Sequence, residues 1–191
     1  DVEYIFEGGA AAEAVEPAMG PATGGAMLKV YGDGVAGQSM CHVGRSMSPI
    51  GEAGDVWVSC VQPAGPQGFA VVSVGTAAGG GAILSESVVF EIVPASSVLA
   101  VVPGSLEASG AAGLVHMTGR DMPRAVQCMV AGSEPADGHF VSTALVVCEM
   151  SSTAEGAVAV EVGAAGVALS ASGATVEFAG AQTVRSVSPA A

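Results

Sequence analysis

Residues 27–32 read Met-Leu-Lys-Val-Tyr-Gly, a run in which apolar and polar side chains alternate before a glycine. The run returns as Val115-His116-Met117-Thr118-Gly119, so that Leu28 and Val30 correspond to Val115 and Met117. Alternation with period two predicts a β-strand that buries one face. The return of the same strand 87 residues later predicts that the chain is built from a repeated unit.

The repeat extends over the whole chain. Pro17 recurs at Pro103 and at Pro189, in two steps of 86 residues. Between these prolines, five positions return with offsets of 87 to 88 residues: Gly32, Cys41, Cys60, Gly68 and Gly75 become Gly119, Cys128, Cys148, Gly156 and Gly163. The period predicts two domains, each of about 86 residues and therefore large enough to hold its own core.

The segments between the turn residues alternate in the same way, and none has a helical period. In one of them, Val56, Val58 and Cys60 are expected to share the buried face, as are Ala144, Val146 and Cys148 in the second copy. Gly, Pro, Ser and Asp separate the segments at intervals typical of turns. About six or seven short strands in each unit predict an all-β, antiparallel sandwich.

The four cysteines occur as one pair per unit. Cys41 and Cys60 are 19 residues apart, and Cys128 and Cys148 are 20 residues apart. Equal spacing predicts a disulfide within each unit, although four buried free thiols would also fit the pattern. A disulfide that closes a loop of this size contributes about 3 kcal/mol to stability. If the cysteines are oxidised, the protein is extracellular or at a cell surface.

The charge of the chain excludes several partners. The net charge is −13, with only five Lys and Arg residues, which argues against nucleic acid and against an anionic membrane surface. Residues 56–85 carry no charge, but prolines and glycines interrupt them, so no membrane insertion is expected in this segment. There is no Asn, so a covalently attached glycan would be O-linked.

The order of these motifs resembles that of IPT/TIG domains, which are immunoglobulin-like folds found in plexins and related receptors. The resemblance rests on Gly24-Gly25 followed by residues 27–32, on Cys60-Val61-Gln62-Pro63, and on the final Val-x-Phe strand of each unit. It implies two tandem immunoglobulin-like (IPT/TIG) antiparallel β-sandwiches, with domain 1 at residues 13–93 and domain 2 at residues 99–180. The second unit departs from the pattern at Ala112, which replaces Gly25, and at Ser151 or Met150, which replaces Pro63.

The sequence contains no recognisable catalytic motif. No Ser lies in a G-x-S-x-G turn, and no glycine-rich motif opens a helix, so we expect no enzyme and no cofactor. Acidic residues in matching loops are compatible either with weak calcium binding or with solvated charges, and we expect no metal site. These residues are Glu52, Asp55, Glu134 and Asp137.

Two features indicate contacts with other molecules. Trp57, the only tryptophan, is either an anchor for a neighbouring subunit or sugar, or a surface aromatic partly covered by a loop. Val2, Tyr4 and Phe6 match the last strand of a unit and have no domain of their own to cover. Residues 1–8 are therefore expected to be the last strand of a preceding repeat or a donor strand for another subunit. Residues 184–191 are expected to begin a following repeat.

These observations predict a non-enzymatic, extracellular structural protein whose tandem repeats form part of a filament, appendage or cell-surface stalk. The expected partners are neighbouring repeats or identical subunits, with a glycan, O-linked or bound, as a further partner. The alternative is a receptor or adhesin ectodomain that binds protein or polysaccharide.

Overall fold

The computed structural model describes residues 10–76 and 87–180. Within these ranges there is no α-helix, and the only helical turn is a 3₁₀ turn at Val35–Gly37. No helix in the described part of the chain is long and apolar enough to cross a membrane. The chain divides into two compact units: Asp1–Ala95 with Ala165–Leu169, and Ser96–Ala164 with Ser170–Ala191.

The described residues up to 95, which belong to the first unit, form eight strands. They are β1 Ala11–Glu16, β2 Met19–Pro21, β3 Met27–Asp33, β4 Met40–Val43, β5 Ser46–Ala53, β6 Trp57–Val61, β7 Gly68–Gly75 and β8 Val88–Val93. They pair in the order β1-β3-β6-β5-β4-β7-β8-β2, and all neighbours are antiparallel except β2 and β8. Because β5 pairs with β4 through residues 46–49 and with β6 through residues 50–53, it passes from one layer of the sandwich to the other.

The second half of the chain repeats this plan. Its strands are β9 Ser97–Val102, β10 Ser105–Glu107, β11 Gly113–Arg120, β12 Gln127–Val130, β13 Ala136–Asp137, β14 His139–Ser142, β15 Leu145–Met150, β16 Gly156–Ala164, β17 Val167–Ala168 and β18 Thr175–Ala179. One layer has the order β14-β15-β11-β9, and the other the order β10-β18-β16-β12-β13. The segment that corresponds to β5 is broken at Gly138, so β13 pairs with β12 and β14 with β15.

Each unit has a core built mainly from valine around one large aromatic side chain, Phe90 in the first unit and Phe178 in the second. Leu28 and Val30 are fully buried, as the alternation of residues 27–32 predicts. The expectation for Val56 is wrong: this side chain is 56% exposed, because β6 begins only at Trp57. Ala144 is likewise exposed and precedes β15. The all-β sandwich prediction is confirmed.

A disulfide joins the two layers of each unit. Cys41 on β4 is bonded to Cys60 on β6, with Cα atoms 6.4 Å apart. Cys128 on β12 is bonded to Cys148 on β15, with Cα atoms 5.8 Å apart. These are the two pairs that the spacing predicts, and all four side chains are buried.

The repeated glycine at the end of the quoted strand has a steric cause. A Cβ at Gly32 would lie 1.7 Å from the carbonyl oxygen of Ala11, and one at Gly119 would lie 1.8 Å from that of Ser97. The first strand of each unit, β1 or β9, therefore passes directly over this glycine. The crossing lies where the pairing register between the two strands shifts. Any larger residue would push the two strands apart.

Candidate binding cleft

The clearest candidate site lies on the outer face of β3 and β6 in the first unit. Alternation directs Leu28, Val30, Val58 and Cys60 into the core and leaves their neighbours on the outer face. In the antiparallel register, Tyr31 pairs with Trp57 and Lys29 pairs with Ser59. Side chains at directly opposed positions on one face interact. A cationic, two aromatic and one hydroxyl side chain are thus brought together.

The Lys29 ammonium group is held against aromatic rings. Its Nζ atom lies 3.9 Å from the centroid of the Trp57 ring and 5.6 Å from that of Tyr31. A cation this close to a ring centroid is attracted by the negative face of the π-system. On its pyrrole edge the indole packs against Gly54, where a Cβ would lie 2.3 Å from Nε1. Trp57 is therefore fixed in place between a lysine and a backbone turn.

Lys29 has no carboxylate partner among the described residues, since none lies within 4.0 Å of its Nζ atom. Glu16 lies opposite Lys29 in the β1–β3 register, but its Oε2 atom accepts a hydrogen bond from the Tyr31 hydroxyl at 3.1 Å instead. The N–H groups of the Lys29 ammonium are consequently not used in an ion pair with a carboxylate of the described residues. Lys29 is therefore a cation without a described carboxylate partner, in a chain whose net charge is −13.

Beside Lys29 and Trp57 is an open cleft with a volume of about 760 Å³. Its apolar lining includes Met27, Ile50 and Val61, and its polar lining includes Ser48 and Glu52. The cleft wall is fixed by Ser59, whose Oγ accepts a hydrogen bond from the Glu52 backbone N–H at 3.1 Å. Ser48 is only 8% exposed, but its hydroxyl oxygen is open to solvent and has no hydrogen-bond partner within the ranges that the structure describes.

The second unit does not have this cluster. In the corresponding register, Thr118 pairs with Leu145 and His116 pairs with Val147, where the first unit has Tyr31 with Trp57 and Lys29 with Ser59. Val102 takes the position of Glu16 opposite the strand. Because the two units share one topology and one disulfide position, the cluster is not needed to build the fold.

Trp57 could be singled out from the sequence as a contact residue, and Glu52 only as an acidic residue, whereas Lys29 and Ser48 could not. Trp57 lies on the outer face and is partly buried, and the structure adds Lys29, Ser48 and Glu52 to it. The alternation of residues 27–32 could have placed Lys29 and Tyr31 on one face, but not opposite Trp57. Val2, Tyr4 and Phe6 lie outside the described residues.

The acidic residues considered for calcium are not brought together as a site. Across residues 10–76 and 87–180, no group of three His, Cys, Asp or Glu side chains is arranged to hold a metal ion. Glu52 lies on β5 and Asp137 on β13, so these two belong to strands and not to loops.

Two layers of strands joined by a buried disulfide define an immunoglobulin-like sandwich. Residues 96–178 match the family model of the IPT/TIG domain, which assigns the second unit to that family and confirms the family resemblance. No curated protein matches the chain at a significant level.

Several solved structures are similar to this chain. The full extracellular region of plexin A4 aligns with 91% of this chain at 17% identity and a TM-score of 0.51, and this chain covers 16% of it. A second plexin A4 structure aligns with 90% at 17% identity and a TM-score of 0.47, with 18% of it covered. SGBP-B of the Bacteroides ovatus mixed-linkage glucan utilization locus, in complex with a heptasaccharide, aligns with 92% at 12% identity and a TM-score of 0.37, with 47% of it covered. At 17% identity, the likeness to the first of these structures concerns the fold alone.

Proposed function

We propose that this chain is a non-enzymatic, extracellular structural module, in which tandem IPT/TIG domains form part of a filament, appendage or cell-surface stalk. The observation that carries the proposal is the pair of buried disulfides, one joining the layers of each unit at equivalent positions. Disulfides persist in oxidising surroundings, outside the cell or at its surface. The similarity to the extracellular region of plexin A4 supports the same location.

The repeat supports a role in a longer array. Residues 13–93 would be a second domain of the same family, because their strands, cysteines and close-approach glycine correspond to those of the second unit. Residues 1–8 and 184–191 would belong to neighbouring repeats, or residues 1–8 would pair with another subunit. Val2, Tyr4 and Phe6 would then contact that neighbour.

Negative-stain microscopy of the native material tests the structural role. Ordered filaments that survive high salt and repeat at one or two domain lengths are the expected result. Dispersed single molecules would contradict it. Deletion of residues 1–7 distinguishes a longer chain of repeats from donor-strand assembly. Donor-strand assembly requires this segment and should be lost without it.

The extracellular location has its own test. Alkylation of freshly isolated protein under non-reducing conditions, followed by mass spectrometry, should modify none of the 4 cysteines. Four modified thiols would refute the location, whatever the microscopy shows.

A receptor or adhesin ectodomain is the second candidate. It is favoured by the cluster of Lys29 and Trp57 beside the cleft, whose side chains the second unit replaces and the fold does not require. A soluble monomer that binds a glycan or protein through this cleft would support it over the filament.

A further inference from the structure

The cleft beside Trp57 has polar groups that the protein itself leaves unused. The Lys29 ammonium group has no carboxylate partner among residues 10–76 and 87–180. The Ser48 hydroxyl likewise has no hydrogen-bond partner there, and its oxygen is open to solvent although the residue is mostly buried. A polar group that faces a cleft and has no partner in the protein is a position where water or a ligand group binds. Both groups line the same cavity.

The size and lining of the cleft restrict the chemistry of that ligand. Its volume of about 760 Å³ is in the range of small-molecule sites. Met27, Ile50 and Val61 provide apolar surface, while Lys29 and Glu52 supply a donor and an acceptor of opposite charge. A pyranose ring has the complementary character, because one face presents C–H groups and its rim presents hydroxyls that both donate and accept. Hydrogen bonds from hydroxyls to charged groups are stronger than those between neutral groups.

Other classes of ligand fit less well. An anion would be attracted to Lys29 but repelled by Glu52, by Glu16 and by a net charge of −13. A peptide that adds as an extra strand needs an unpaired edge. Both β3 and β6, which form the floor, already pair with a strand on each side. The balance of charge therefore favours a neutral occupant.

We infer that the cleft formed by Lys29, Ser48, Glu52 and Trp57 binds a neutral saccharide. Lys29 donates to ring or hydroxyl oxygens, and the Glu52 carboxylate accepts from hydroxyls. The Ser48 hydroxyl pairs with the sugar rim, and the apolar side chains cover its C–H face. Sugar binding at this site does not require filament formation. Absence of filaments in microscopy would therefore leave the sugar site standing, and absence of sugar binding would leave the filament proposal standing.

The single tryptophan provides the measurement. Tryptophan fluorescence of the full 191-residue chain, excited where tyrosine does not absorb, reports on Trp57 alone. Titration with cellohexaose, mannohexaose and laminarihexaose should give a saturable change in emission with at least one of them. Hexagalacturonate, the anionic comparator, should bind about tenfold more weakly or not at all, because each 1.4 kcal/mol of repulsion is a factor of ten.

Variants locate the binding. Glu52→Gln and Lys29→Met should each weaken binding about tenfold, as expected for the loss of a hydrogen bond to a charged group. His116→Ala, which changes the equivalent of Lys29 in the second unit, should leave affinity within about twofold. The inference is overturned if no neutral hexasaccharide gives a saturable change, if hexagalacturonate binds as tightly, or if both cleft variants bind like the original chain.

Discussion

The Gln62 side chain donates a hydrogen bond from Nε2 to the carbonyl oxygen of Pro21 at 2.8 Å, across 41 residues of sequence. Gln62 is only 1% exposed, and its Oε1 atom has no partner in the described part of the chain. The Pro21 oxygen also accepts from the Gly24 N–H at 2.8 Å. In the second unit, Met150 takes the place of Gln62.

Gln62→Met should therefore keep or raise the free energy of unfolding by about 1 kcal/mol, because it removes an unpaired buried oxygen and leaves the Pro21 oxygen bonded to Gly24. Gln62→Ala should lower it by about 2 kcal/mol, since a cavity replaces the side chain. Urea unfolding of both variants measures the difference. The reciprocal change Met150→Gln is the matched control and should destabilise the second unit; a Gln62→Met variant less stable than Gln62→Ala would contradict the argument.

Removing either disulfide should destabilise its own unit. Replacement of Cys41 and Cys60 by alanine should lower stability by about 3 kcal/mol, because the closed loop of 19 residues no longer restricts the unfolded chain. The same change at Cys128 and Cys148, which close 20 residues, should have a similar effect. Calorimetry without reductant measures both, and two double variants that melt like the parent would show that the disulfides are dispensable.

The close approach of the first strand to its glycine predicts a strong steric effect. Gly32→Ala and Gly119→Ala should each cost about 3 kcal/mol or more, because the added methyl would overlap a backbone carbonyl that cannot move alone. Gly104→Ala is the control, since a Cβ there would meet nothing within 4 Å. Its stability should stay within about 0.5 kcal/mol of the parent in the same denaturant series.

Glu161 should stabilise the second unit through its carboxylate. Its Oε1 atom accepts hydrogen bonds from the backbone N–H groups of Ser172 at 2.8 Å and Gly173 at 2.9 Å, and its Oε2 atom accepts one from the Ser170 hydroxyl. Glu161→Ala should lower stability by about 2 kcal/mol, as expected for charge-assisted bonds that are partly exposed.

Amide exchange would locate the effect of this substitution. Faster exchange is expected at residues 172 and 173, next to the start of β18. The exposed Glu149 provides the control, and Glu149→Gln should change neither stability nor exchange. Equal losses of stability in Glu161→Ala and Glu149→Gln would show that the change in overall charge, and not the loss of the hydrogen bonds, is responsible.

The sequence predicted those features that depend on local pattern. Leu28 and Val30 are buried because period-two alternation fixes which face a side chain takes. The cysteine pairs followed from their equal spacing in two copies. The prediction that Val56 is buried was wrong, because an alternating pattern does not show at which residue a strand begins.

The cleft was beyond local pattern for a different reason. Contact between Lys29 and Trp57 depends on the register of two strands that are separated by β4 and β5 in the sequence. The hydrogen bond between the Tyr31 hydroxyl and Glu16 also depends on side-chain geometry, because Glu16 lies opposite Lys29 in the register and could have paired with it instead. Neither the contact between Lys29 and Trp57 nor the partner of Glu16 can be predicted from the spacing of residues in the sequence.

The crossing of β5 between layers means that the two units differ in what joins their layers besides the disulfide. In the first unit, one strand pairs with β4 through residues 46–49 and with β6 through residues 50–53, so backbone hydrogen bonds to a shared strand would remain after Cys41 and Cys60 separate. In the second unit, two short strands take these places, β13 beside β12 and β14 beside β15, with Gly138 between them. The layers of a reduced first unit would therefore still share one strand, whereas those of a reduced second unit would each keep a short strand of their own.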